Sequence, residues 1–180
     1  MQRYDFLLIY ANNLGEIYLK WYRFRPFLSL EPFYSVLILL IGFSEAARQW
    51  EIGVDPDINV LADTVMLRQV MMNIIKNAVE AHAQRIVIEA RNDMTNNRAY
   101  DPTNLVYVYI GNDGHPIMAE NRQSLFIPFF TTKRSGNGIG LSLSRRMMLQ
   151  QGGMLELADH PFNGCHVTFI LQLRMVTPTN

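Results

Sequence analysis

The sequence predicts an α/β protein: a two-layer sandwich in which a mixed β-sheet carries its helices on one face, preceded by an N-terminal helix. Two observations lead there. Residues 63–82 hold the strongest helical period in the chain, and the runs 85–91, 105–110, 154–157 and 167–173 are rich in the Ile, Val, Leu and Tyr that strands favour. Helices that can all lie on one side of those strands point away from alternating parallel crossovers.

In chain order, residues 4–24 place Phe6, Ile9, Tyr10, Ile17, Trp21 and Phe24 about three or four apart, with Asn13 interrupting. That spacing predicts an amphipathic helix ended by Pro26, with a stripe that seeks a partner helix or a second copy of the chain. A second helix is expected over 36–50, stopping before the turn-rich Gly53-Val54-Asp55-Pro56-Asp57. Residues 58–61 read as a short strand. Asp63-Thr64 then caps the periodic helix, whose apolar stripe is Leu67, Val70, Met71, Ile74, Ile75 and Ala78. The strands 85–91 and 105–110 flank a polar loop and are expected to pair. A short helix over 119–124, a glycine-rich segment, a helix over 139–151 ended by Gly152-Gly153, and two closing strands complete the chain.

Sixteen basic and sixteen acidic residues cancel, so no broad positive field exists to draw nucleic acid or anionic membrane, and any anion site must be local. One cysteine, Cys165, excludes an internal disulfide and a cysteine-built zinc site. The longest apolar run, 36–43, falls short of the ~20 residues that span a bilayer. A cytoplasmic setting is expected, for the chain itself or for the cytoplasmic portion of a membrane-anchored parent.

Four blocks carry residues suited to chemistry. On the periodic helix, a rotation of about 100° per residue gathers Gln69, Asn73, Lys76, Asn77 and Glu80 opposite the apolar stripe. A carboxamide oxygen at Asn77 can coordinate Mg²⁺ shared with phosphates, and the same residues also suit a solvated helix face. Next, Gly111-Asn112-Asp113-Gly114-His115-Pro116-Ile117 ends a buried strand, where a fixed acceptor can read a purine amino group or simply build a turn. The run from Phe126 to Lys133 puts aromatic residues before a flexible stretch, the makings of a lid, although Phe129 and Phe130 also suit a core. Finally, Gly136, Gly138 and Gly140 alternate into a helix start, where backbone N–H groups and the positive dipole end suit phosphate, assisted by Lys133 and Arg134.

Taken in this order, the blocks resemble the nucleotide-binding boxes of bacterial sensor histidine kinases, which share the ATP-binding fold of the gyrase and MutL ATPases. Residues 67–81 resemble the asparagine box, 112–117 the first glycine box, 126–133 the phenylalanine box in its Phe-Phe-Thr-Thr-Lys form, and 136–144 the second glycine box. The resemblance runs over about 31–173. It implies a protein-histidine kinase domain that uses ATP and Mg²⁺, with Asn77 as the metal ligand. It also implies nucleotide contacts from Asn73, Lys76, Asn77, Asn112, Asp113, Gly114, Ile117, Phe130, Thr131, Thr132, Lys133, Gly136, Gly138, Ile139, Gly140, Leu141 and Cys165. Asn73 and Lys133 take the catalytic positions. Asn73 stands where hydrolytic relatives carry a water-activating glutamate, and a carboxamide is no general base, so the γ-phosphate is left for an imidazole.

This chain departs from the family at Asn112, where an adenine-reading aspartate is usual, at Pro116, which replaces a glycine, and at Cys165, which stands in a position often held by threonine. Either Asn112 or the neighbouring Asp113 would read adenine, and Asn112 keeps the strand position. The resemblance divides the chain into the end of a dimerisation helix with its linker (1–29), the catalytic domain (30–174) and a tail (175–180). His82, His115, His160 and His166 all fall in the catalytic part, so the phosphoacceptor histidine is expected upstream, on dimerisation helices of a homodimeric parent. A response regulator receiver domain would take the phosphate onward. Two other readings remain: a serine kinase or ATPase of the same fold, and a module that has lost nucleotide recognition and serves as a structural or partner-binding domain.

Overall fold

The computed structural model describes residues 4–11, 17–24, 49–54, 60–92, 105–133 and 136–175. Their main body is a six-stranded mixed sheet in the order β3-β5-β6-β8-β4, with β7 also paired to β8. β3 (Gln49–Val54) runs parallel to β5 (Arg85–Asn92). β6 (Leu105–Asn112) pairs antiparallel with both β5 and β8 (Val167–Met175), as the sequence predicts for the strands around residues 85–110. β4 (Val60–Leu61) and β7 (Met154–Leu157) share the far edge of β8.

One face of this sheet is covered by α1 (Thr64–Glu80) and α3 (Gly140–Gln150), with the single-turn α2 (Ala119–Arg122) between them in sequence. The Asp63 side chain accepts from the Met66 N–H at 2.9 Å, which satisfies one of the first-turn donors and starts α1 where the sequence places its cap. The predicted stripe of six residues is the buried face of α1. It meets Ile86 and Ile88 of β5, Val108 and Ile110 of β6, and Phe169 and Leu171 of β8 in one core. His82 closes the helix at φ 60, a left-handed position more often filled by glycine or asparagine.

The N-terminal segment corrects the sequence reading. Residues 4–24 form two antiparallel strands, β1 (Tyr4–Ala11) and β2 (Ile17–Phe24), with Tyr4 opposite Phe24 and Ala11 opposite Ile17. In Tyr-Asp-Phe-Leu-Leu-Ile-Tyr-Ala nearly every position is apolar, so a spacing of three or four fits as well as a spacing of two. The aromatic and β-branched content and the Asn12-Asn13-Leu14-Gly15 run are hairpin signals that outweigh the helical count. The partial dimerisation helix, and the helical stripe proposed to pair it, go with that correction. The expected helix over 36–50 lies mostly outside the described residues, and its last two positions, Gln49 and Trp50, open β3. Turn-forming residues around Gly53 hid this strand, whose place depends on the parallel partner β5.

Candidate nucleotide site

The polar face of α1 looks onto the start of α3 and the segment before it. Asn73 is fully engaged there: its amide nitrogen donates to Ser144 Oγ at 2.9 Å and to the Gly140 carbonyl at 3.2 Å, while Oδ1 accepts from Gln69 at 3.0 Å. Ser144, buried in the helix interface, also donates to the Gly140 carbonyl at 2.8 Å. This network ties the two helices together. One turn on, Asn77 Oδ1 accepts from the Lys133 ammonium at 2.6 Å, and the same ammonium pairs with the Glu80 carboxylate. Lys76 lies 3.8 Å from Glu80 with its side chain largely in solvent.

Lys133 reaches α1 because the segment before α3 is folded back on itself. Phe129 donates its N–H to the Gly138 carbonyl at 2.9 Å. Gly138 has φ +63, and a Cβ there would sit 2.5 Å from the Phe129 carbonyl carbon, so only glycine suits the position. At Gly136 a Cβ would meet Thr131 Oγ1 at 2.6 Å, and that oxygen accepts from the Lys133 N–H at 3.1 Å. Thr132 is exposed beside them. α3 begins without a side-chain cap at Ile139, which leaves its N-terminal donors and dipole to an anion. Leu141 packs from the first turn against the core. Neither Phe129 nor Phe130 joins the core: Phe129 is 75% exposed, Phe130 is half-buried, and it is Phe126 that packs against the core edge, under Arg145.

At the end of β6 the two candidate adenine readers diverge. Asn112 is 3% exposed and lies on the helix-facing side of the strand in phase with Val108 and Ile110; its Oδ1 accepts from the Gly114 N–H at 3.0 Å. Asp113 accepts from the Gln84 and Arg85 N–H groups, both at 2.8 Å, and so clasps the turn between α1 and β5. Gly114 lets the chain pass close to α1: a Cβ there would meet the Ala81 carbonyl at 2.8 Å. Ile117 packs against the core beyond the turn.

Cys165 is not brought to these groups. A Cβ on Gly111 would lie 2.7 Å from its sulfur, and Gly111 faces opposite to Asn112, so the thiol covers the outer side of the sheet. Burial pushes the Cys165 thiol up from its ordinary value. Sequence reasoning placed Gln69 and Glu80 on the polar face of the helix without assigning them contacts and gave no contact to Ser144; the spacing of four between Gln69 and Asn73 is the signal for the Gln69–Asn73 bond.

A cation fits the Asn77 position, since an ammonium already lies between its carboxamide oxygen and the Glu80 carboxylate. Among the described residues no group of three or more His, Cys, Asp or Glu side chains forms a separate metal centre, and no helix is long and apolar enough to cross a membrane.

A mixed sheet covered on one face by helices makes this a domain of the two-layer α/β type. The chain belongs to the histidine kinase-, DNA gyrase B- and HSP90-like ATPase family, whose profile matches residues 62–175. It is 34% identical over 135 residues to the sensor protein FixL of Bradyrhizobium diazoefficiens, a match covering 73% of this chain and 26% of FixL. It superimposes on the catalytic domain of histidine kinase ThkA with a TM-score of 0.64 at 28% identity, covering 80% of this chain and 90% of that domain. ThkA solved in complex with the response regulator protein TrrA matches with a TM-score of 0.63 at 26% identity, over 86% of this chain and 42% of that one. The chain thus spans about a quarter of the length of FixL.

Proposed function

We propose that this chain is the ATP-binding catalytic domain of a sensor histidine kinase, passing the γ-phosphate of ATP to a histidine on helices of its parent, for relay to a response regulator receiver domain. The observation that carries the reading is the meeting of Asn77 Oδ1 and the Lys133 ammonium at 2.6 Å, one turn along α1 from the residue that latches the uncapped start of α3. Oxygen donor, mobile cation and phosphate-suited helix end stand together there. The likeness to FixL and to the ThkA catalytic domain supports the kinase class, and the ThkA–TrrA complex supports the receiver as partner.

In this reading Asn112 marks the adenine end of the cleft, and Thr131–Lys133 together with Gly136, Gly138 and Gly140 face the phosphates. Mg²⁺, when bound, would be held by Asn77 and would supply positive charge against the triphosphate. Lys133 offsets charge at the γ end. Asn73 takes no proton: both ends of its amide are hydrogen bonded and a carboxamide is not basic, so the geometry favours an incoming imidazole over activated water. Asn73 is therefore a positioning residue for α3.

Titration of the chain with ATP and Mg²⁺ tests this. Binding should release heat and raise the unfolding temperature, with a stabilisation of about 2.7 kcal/mol at a hundred times Kd. A histidine-bearing helical hairpin supplied in trans should acquire acid-labile phosphate from labelled ATP. No heat and no stabilisation would remove nucleotide binding; binding without transfer to any such hairpin would remove the kinase assignment.

A further inference from the structure

Glu80 is the one charged group at the Lys133 end of α1 that the nucleotide boxes leave without a role. It lies three residues after Asn77, so both side chains point from the same face of the helix. The Lys133 ammonium donates to Asn77 Oδ1 at 2.6 Å and pairs with Glu80, while Lys76 stands off at 3.8 Å. A carboxamide oxygen and a carboxylate oxygen converging on one positive charge are the hard donors a divalent cation takes. Glu80 and Lys133 are 37% and 39% exposed, so water can replace either partner and the pair is exchangeable.

We propose that Glu80 belongs with Asn77 to the divalent-cation position of this domain, and that Lys133 is the resident cation there until the metal arrives with the triphosphate. This rests on the ATP-binding reading above. An ammonium and a divalent ion cannot share one pair of oxygens, because like charges at that distance repel strongly in a partly desolvated site. Metal loading therefore expels Lys133 from α1. The freed ammonium sits on the turn that folds onto Gly138 and Gly136, which places it on the phosphate side of the cleft. Cation entry and release of this turn from α1 become one event.

Two substitutions with opposite expected signs test the inference. At fixed ATP, Mg²⁺ is titrated against the unfolding temperature, and Mn²⁺ bound in its place is counted by electron paramagnetic resonance. Glu80→Gln should raise the half-saturating metal concentration about tenfold, as loss of a supporting carboxylate commonly does. Lys133→Met should lower it about two- to fivefold, the worth of an exposed ion pair. General loss of stability cannot produce both signs. If the native chain binds ATP but Glu80→Gln leaves the metal midpoint in place, or Lys133→Met leaves or raises it, this inference falls alone. A native chain that binds no ATP would overturn the functional reading with it.

Discussion

On the helix side of the sheet, the Lys133 ammonium meets α1 from a turn in a half-exposed pair; on the outer side, charged and polar side chains of neighbouring strands and the loop at 162–163 bond one another. The outer face carries a ladder. Glu51 accepts two bonds from Arg85 at 2.7 and 2.6 Å, and Arg85 also donates to the Asn163 carbonyl at 2.6 Å. The Asn163 amide donates to Glu89 at 2.9 Å, Glu89 pairs with Arg91, and the Arg91 guanidinium lies 4.9 Å from the Phe162 ring, which stacks on Tyr109 at 4.5 Å. The Arg85 guanidinium holds the Glu51 carboxyl below the usual carboxylate range against the opposing effect of burial. Glu51 and Arg85, and Glu89 and Arg91, are paired within the sheet, and the loop over it adds Asn163. Lys133 instead reaches its partners on α1, Asn77 and Glu80, from the turn before α3 through a half-exposed ion pair. Paired charges within the sheet are architecture, whereas a half-exposed ammonium shared by a carboxamide and a carboxylate is a place for a ligand.

Filling the floor of the outer face should break the contrast most. Gly111 lies between Val87 and Thr168 in register, and an added Cβ would meet Cys165 Sγ at 2.7 Å and Thr168 Oγ1 at 3.2 Å. Gly111→Ala should cost about 2–3 kcal/mol in urea denaturation, as overpacking does. Adding Cys165→Ala should return part of that loss; strictly additive effects would show that the thiol is not the obstacle.

Cutting the helix latch should cost less but reach further. Asn73→Leu removes three hydrogen bonds and should destabilise by about 1–2 kcal/mol. It should also weaken ATP binding, because α3 loses its registration against α1. An unchanged Kd for ATP at measurably lower stability would restrict Asn73 to the fold.

The smallest expected effect sharpens the comparison by pH. Because the folded pKa of Glu51 is lowered, its contribution is fully present above the unfolded value, near pH 4.3, and is lost as pH falls through the folded value. Glu51→Gln should therefore cost at most about 1 kcal/mol near neutrality and flatten the acid limb of the stability curve. Parallel acid limbs for the two proteins would mean that the pair contributes nothing.

Much of the domain was legible in one dimension. Asp63 at the cap, the six-residue stripe of α1 and the strands of the central sheet follow from local chemistry and from periods that only one structure satisfies. The strand pair β1–β2 reads as a helix in the sequence because the apolar positions of Tyr4–Ala11 fit a spacing of three or four as well as one of two, although the run at 12–15 argues for a turn. β3 was hidden because a strand interrupted by Gly53 is recognisable only from the partner that pairs with it.

By itself the sequence determined which residue types stand in which order: the asparagine helix, the strand ending in Asn112, the phenylalanine turn and the alternating glycines. Tertiary structure alone decided their partners. It sent Asp113 to the α1–β5 turn and Cys165 to the outer face, gave the amide nitrogen of Asn73 to α3, and set Lys133 on Asn77 and Glu80. The physical reason is that side-chain hydrogen bonds and ion pairs reach only about 3–4 Å, so groups far apart in the chain become partners only when packing of the core brings their elements together.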